Sequence, residues 1–336
     1  MRSFLLALAL GLFSSSGAAQ IVEDFEHGNE TLYLPMSPGI DTLDVVATGT
    51  HDGGFGAQYS TSGGPAWRAR LSLVTAPGNT YDCFVRTRGS TTTGRNYVGY
   101  GASTTGCLAA VFAPNTGQIL LQDCTNWGFV TLASAAFVPQ ANTWYVLRLE
   151  WAANGGAAVS ILDEARTTTL AATSSVATNF LAPGGVALRG FTNTTGTIFH
   201  DLDTIQVAAL AQAYGSGCGS PAPLALSSTA PVLGTNWTFT TTSIDPVSPV
   251  VITFFALSQT SLPLDPLGAV GCSALVDTLV TSATTPNLGG TSVVGLPLPG
   301  SVAFAGTVIT AQSVCFTFGN PLGLYTSNGL LGTLGL

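Results

Sequence analysis

Residues 143–151 read Thr-Trp-Tyr-Val-Leu-Arg-Leu-Glu-Trp. Successive side chains of an extended chain point to opposite faces. Tyr145, Leu147, Leu149 and Trp151 therefore share one face, and Trp144, Val146, Arg148 and Glu150 the other. An apolar face backed by a charged one predicts a strand of an antiparallel sheet with one side in a core. Working outward, runs rich in Val, Ile, Thr and aromatic residues recur at 66–74, 80–88, 96–103, 107–113, 118–122, 128–133, 157–163, 184–191 and 198–208. Gly, Pro, Asn and Ser clusters separate them, and no helical period persists. So many short strands predict an all-β sandwich or jelly roll.

The length, 336 residues, suits about two domains. Charge locates the division. Residues 21–210 hold fourteen acids and eight Arg, whereas 211–336 hold only Asp245, Asp265 and Asp277 and no basic residue. Between them AQAYGSGCGSPAP (211–223) has linker or turn chemistry. The expected domains are 20–210 and a smaller β-sandwich at 211–336. Ahead of them, Arg2, the apolar run Phe4–Phe13 and small residues to Ala19 form a secretory signal over 1–19. The expected location is outside the cytoplasm: secreted, at the cell surface or in the periplasm. No later apolar run is long enough to span a bilayer, so no membrane insertion is expected after cleavage.

All nine basic residues are Arg, and the formal net charge is -8. The lack of Lys removes Schiff-base and Walker-A chemistry. The lack of a basic stripe argues against nucleic acid as a partner.

In an oxidising compartment the six Cys are expected to pair. Cys107 and Cys124 lie at equal distances from a turn at Asn115-Thr116. Opposed positions of a regular hairpin come near disulfide geometry, so a Cys107–Cys124 bridge is expected. Buried thiols are the alternative, and Cys83 is the odd residue in this half.

Residues 143–207 also contain VSILDEARTTTLAAT, GGVALRGF and FHDLDTIQV. This pattern resembles concanavalin A-like lectin/glucanase jelly rolls of the LamG type, and Glu23-Asp24-Phe25-Glu26-His27-Gly28 resembles the first strand of related carbohydrate-binding jelly rolls. The resemblance implies a fold more than a function. Residues 213–336 resemble a C-terminal domain of exported proteins of planctomycete-type bacteria. The matching residues are Ala213–Cys218, Pro263–Gly268 with Gly271-Cys272, Leu298–Ser301, Ala305-Gly306, Gln312 and Thr326–Gly329. Cys218 and Cys272 fall at the recurrent Cys positions of that module, which implies their pairing. Cys315 departs from the pattern and is left free or to join Cys83.

The jelly-roll resemblance allows a glycosidase, a binding module or a structural protein. No E-x-D-x-x-E carboxylate motif occurs, so no catalytic residue is assigned, and a divergent glycoside hydrolase stays an alternative. The first and last strands of a jelly roll lie close. Asp24 and Glu26 could thus meet Asp201 and Asp203 around a structural Ca2+, the position used by calcium-bearing relatives. Separately solvated strand-end carboxylates are the other reading. For a sugar, rings to stack on and planar polar groups are needed. Trp127 with Asn126 is the first choice, with Tyr97, Tyr100, Arg95 and Trp67 behind; packing at core edges is the competing use of the same residues. The leading expectation is an exported non-catalytic protein that binds a glycan or cell-surface component through its first domain. A structural envelope or adhesion protein without a small ligand is the runner-up.

Overall fold

The computed structural model describes residues 21–335 except 61–62, 91, 193–197 and 302–303. The expected signal at 1–19 lies outside the described residues. The rest divides into two compact units, one of them Ile21–Ala208 and the other beginning at Ala209. Both are all-β, and no helix among the described residues is long and apolar enough to cross a membrane.

The first unit is a sandwich of two antiparallel sheets. The main path of the nine-stranded sheet runs Thr169–Ala172, Gly156–Asp163, Tyr145–Trp151, Asn79–Arg88, Phe199–Val207, Gly56–Tyr59 and Leu43–Val46. Ile21–Glu23 adds to Phe199–Val207, and Val176–Ala177 to Gly156–Asp163. The seven-stranded sheet runs Val130–Ala136, Gln118–Asp123, Gly106–Ala113, Arg95–Ser103, Gly184–Phe191, Arg68–Thr75 and Leu34–Pro35. Between the sheets lies the core expected from the 143–151 alternation. Tyr145, Leu147, Leu149 and Trp151 meet Val98, Tyr100, Leu108, Phe112 and Leu188 there.

The hairpin register is the expected one: Leu108 faces Asp123 and Ala113 faces Gln118, which puts Cys107 across from Cys124. The expected bridge is nevertheless not formed, and both residues are buried free thiols. Cys124 N donates to Cys107 O at 3.0 Å, which holds the pair at ladder spacing. Opposed Cβ atoms then stand about 4.5–5.5 Å apart, wider than the ~3.8 Å mean of a disulfide. Burial and the adjoining Cys124 push the Cys107 thiol up, so it stays protonated. Cys83 and Cys315 are also buried and free.

The second unit stacks a five-stranded sheet (Leu210–Tyr214, Leu324–Thr333, Val308–Phe316, Val250–Pro263, Ser273–Pro286) on a three-stranded one (Ala225–Ser228, Asn236–Thr242, Thr291–Pro297). Trp237, Phe239, Phe255, Leu296 and Leu330 fill the space between. Gly332 lacks a side chain because a Cβ there would strike the Trp237 ring. Part of the segment read as a linker is in fact the strand Leu210–Tyr214, paired with Leu324–Thr333. An edge strand is held by backbone hydrogen bonds, so small, polar residues suffice. The expected Cys218–Cys272 disulfide is present, with Cα atoms 5.0 Å apart.

Candidate functional site

Strand parity gives each sheet of the first unit an inner and an outer face. On the seven-stranded sheet, the residues alternating with the core set form a second cluster: Trp67, Ala69, Tyr97, Cys107, Ala109, Val111, Leu120, Cys124 and Ala187, with Met36, Trp127 and Phe191 against it. Register fixes its centre. Tyr97 lies opposite Arg189, and Arg95 opposite Phe191. The Trp67 ring is 5.5 Å from Tyr97, 5.6 Å from Trp127 and 6.1 Å from Phe129. The Arg189 guanidinium sits 4.9 Å over Tyr97 and 4.5 Å over Phe129, and that of Arg95 is 6.0 Å from Tyr97.

Local chemistry delivers Trp127 to this cluster. The turn after Asp123 bends back because Asn126 and Trp127 both adopt left-handed backbone angles, φ 53° and 61°. Asn accepts that conformation readily, while a bulky residue must be held there by its surroundings. Asn126 N donates to Thr105 O at 2.7 Å, and Trp127 Nε1 to Thr104 O at 3.3 Å. Phe129 stays 47% exposed, whereas Trp67 is buried and its Nε1 has no acceptor among the described residues. Burial pulls the Arg189 guanidinium below its usual range, against Tyr97; the Arg95 charge adds to the lowering.

Four of the six residues proposed for a ligand therefore meet on one face: Trp67, Tyr97, Trp127 and Arg95. Asn126 adjoins them on the exposed turn. Tyr100 does not. It lies in the core, stacked on Tyr81 with ring centroids 5.1 Å apart, because three residues' separation from Tyr97 turns it to the opposite face. Arg189 and Phe129 were not singled out. In GGVALRGF, Arg189 alternates with Val186 and Leu188, so its face was legible; its pairing with Tyr97 was not.

The nine-stranded sheet's outer face is built differently. Asp82, only 1% exposed, takes Arg148 at 2.7 and 2.9 Å and also faces Arg166 at 3.1 Å. Asp201, fully buried, accepts from Arg86 at 2.8 Å, from Arg88 at 2.9 and 3.1 Å, and from Gln58. His51 stacks on Phe84 at 3.7 Å with its nitrogens 2.7 Å from Asp52 and 3.0 Å from Glu164. Every Arg here already has a carboxylate. Asp201 and Asp203 share a strand face, but both are fully buried and out of reach of a substrate oxygen.

The four acids proposed for Ca2+ are not gathered. Ile21–Glu23 does pair with Phe199–Val207, so the two chain segments are adjacent as expected. Asp203 accepts from the backbone of His51, Asp52 and Thr204 at 2.6, 3.0 and 2.8 Å. Glu26 accepts from Gly54 and Phe55, and Asp24 from Glu26 N. Asp201 is held by its two Arg. Calcium needs six to eight oxygens converging on one point. Here the oxygens are turned to protein donors, and no group of three or more His, Cys, Asp or Glu among the described residues could hold a metal. The residues do not fit the ion. The acid that does anchor this seam is Glu23, bonded to Tyr33 at 2.6 Å and Arg70 at 2.7 Å.

His200, on the same central strand, gives the fold a pH dependence. Burial pushes its pKa down from 6.5 to about 4, against a smaller opposing pull from the Thr93 backbone. The unfolded chain then binds a proton that the folded one refuses. This contribution is fully present above about pH 6.5 and is lost as the pH falls toward about 4. Burial raises Asp203 in the opposite sense, adding stability as it protonates ahead of the unfolded chain. Urea unfolding is expected to show about 2–3 kcal/mol lost to His200 between pH 7 and 4.5. A His200→Asn variant should flatten that slope; an unchanged slope would assign the loss elsewhere.

No family model and no curated protein matches the sequence. Solved structures similar to about half of the chain include a carbohydrate-binding module, CBM66, from Bacillus subtilis. It is 12% identical with a TM-score of 0.35, over 52% of this chain and 92% of that one. The galectin LEC-6 of Caenorhabditis elegans is 10% identical with a TM-score of 0.30, over 45% and 95%. A legume lectin-like domain from Entamoeba histolytica is 11% identical with a TM-score of 0.36, over 56% and 97%. At these scores and identities no residue role transfers.

Proposed function

We propose that the first unit binds a glycan on the outer face of its seven-stranded sheet, as part of an exported, non-catalytic protein. The observation that carries this reading is the half-buried Trp127 and exposed Phe129 laid over buried Trp67 and Tyr97, beside Arg95 and Arg189. Sugar rings present C–H faces that stack on aromatic planes, and their hydroxyls need directional polar partners. Asn126 and the two Arg supply such groups beside the rings. The second unit has three acids, no base and an interior of apolar residues, so attachment or interaction suits it better than catalysis. Export rests on the character of residues 1–19 and on the Cys218–Cys272 bridge.

Trp127 is the ring to remove, since it lies on a turn outside the sheet ladder. Trp127→Ala is expected to weaken polysaccharide binding by about five- to thirtyfold, the loss of a stacked ring costing about 1–2 kcal/mol. Affinity electrophoresis against a panel of neutral and acidic polysaccharides measures it, with the melting temperature as control. Retention of no polysaccharide by the wild type would end the glycan reading in favour of a structural envelope role.

A further inference from the structure

We propose that the glycan bound by this face is an acidic polysaccharide, and that Arg95 and Arg189 read its charge. This rests on the glycan reading and adds the chemical class. Arg68 pairs with Asp41, Arg70 with Glu23, Arg86 and Arg88 with Asp201, and Arg148 and Arg166 with Asp82. Among the described residues, Arg95 and Arg189 are the two Arg without a carboxylate. Acids outnumber bases in the chain, 17 to 9, so their lack of partners is not a shortage of carboxylates.

The two also stand together. Register sets Arg189 opposite Tyr97 and Arg95 two residues along the neighbouring strand, so both guanidinium groups flank one ring. Like charges side by side and half-buried repel, and partial burial strips hydration from each. An anion between them relieves both costs. Their remaining hydrogen-bonding capacity fits that use. Arg189 Nε donates to Pro65 O at 3.1 Å and Arg95 Nε to Asn115 Oδ1 at 3.1 Å, each anchoring its fork by the inner nitrogen. Beyond these inner contacts Arg189 reaches the Tyr97 side chain and Arg95 Nη1 the Tyr97 hydroxyl at 3.5 Å, which leaves part of each five-donor fork for an anion. A free guanidinium edge takes a carboxylate or sulfate through paired hydrogen bonds.

Trp67 Nε1 is a further donor in this cluster that is buried with no acceptor among the described residues. The rings around the Arg pair distinguish a charged sugar from a simple anion or an acidic peptide. Trp127 and Phe129 extend the surface beyond the guanidinium groups and give a sugar ring a face to rest on.

The test measures binding of the full chain to polygalacturonate, dextran sulfate, uncharged dextran and poly-glutamate. The wild type is expected to bind at least one acidic polysaccharide about tenfold or more tighter than dextran, with affinity falling as NaCl rises from about 50 to about 500 mM. The double variant Arg95→Gln/Arg189→Gln should lose that margin. Arg95→Gln alone should lose part of it and serves if the double variant folds poorly. Three results would overturn the inference: dextran bound as tightly as the acidic polymers, an acid preference that survives both substitutions, or poly-glutamate bound as tightly with the same Arg dependence. Neutral binding that is lost in Trp127→Ala but indifferent to the Arg substitutions would remove the charge reading and leave the glycan reading standing. Binding of no polysaccharide removes both.

Discussion

Asp201→Ala should destabilise the first unit by about 3–5 kcal/mol. Asp201 lies on Phe199–Val207, hydrogen-bonded within the nine-stranded sheet between Asn79–Arg88 and Gly56–Tyr59. Its carboxylate has no exposure and takes the guanidinium groups of both Arg86 and Arg88. Those groups cannot swing freely to water, since Arg86 stacks 4.3 Å over Trp144 and Arg88 4.6 Å over Phe199. Removing the acid leaves two neighbouring positive charges partly desolvated, which costs more than the pair itself contributed. For a unit of this size the loss corresponds to about 6–20 °C in melting temperature. Asp201→Asn keeps the shape and a hydrogen-bond acceptor and should cost less. Hydrogen exchange in rising urea, read on peptides from the two units separately, measures both variants. A loss below about 1 kcal/mol for Asp201→Ala would mean that the pair is solvated like a surface salt bridge.

The second large effect belongs to the other unit. Replacing Cys218 and Cys272 by Ala should cost about 4 kcal/mol at 25 °C, the loop-closure entropy expected for a bridge between residues 54 apart. The bridge ties the segment after Leu210–Tyr214 to the turn around Asp265–Leu267, and it packs with Ala269, Leu264, Leu322 and Tyr325. Exchange should accelerate in peptides of the second unit and stay unchanged in those of the first. Equal acceleration in both would contradict their separate cores, and no acceleration would mean that packing alone holds the turn.

Much of this architecture was legible because it depends on parity. The apolar face of residues 143–151 is the core face, and the hairpin through Asn115-Thr116 has the register that symmetry about the turn implied. What escaped were short strands whose composition carries no strand signal. Gly56–Tyr59 (GAQY) and Leu210–Tyr214 (LAQAY) lack the β-branched runs that mark a strand, yet both pair with longer neighbours. The site was half visible. Trp67, Tyr97, Arg95 and Trp127 were named from residue type, but so was Tyr100, which strand parity with Tyr97 excludes from that face. The partnerships between Asp201 and Arg86 or Arg88, and between Tyr97 and Arg189, span more than 90 residues, and no local pattern encodes them. The four acids were grouped for calcium because their segments adjoin. Adjacency of strands does not aim carboxylates at one another when Arg side chains and backbone N–H groups offer nearer partners.

The central claim is that the ligand lies on the outer face of the seven-stranded sheet. The chain has five Trp: Trp67 and Trp127 at that face, Trp144 on the outer face of the other sheet, Trp151 in the first core and Trp237 in the second. Indole N–H resonances, followed by NMR while an oligosaccharide of the bound polysaccharide is added, report each in turn. The expected result is movement of the Trp67 and Trp127 signals with Trp144, Trp151 and Trp237 still. Movement of Trp144 while Trp67 and Trp127 stay fixed would place the ligand on the opposite sheet and contradict it.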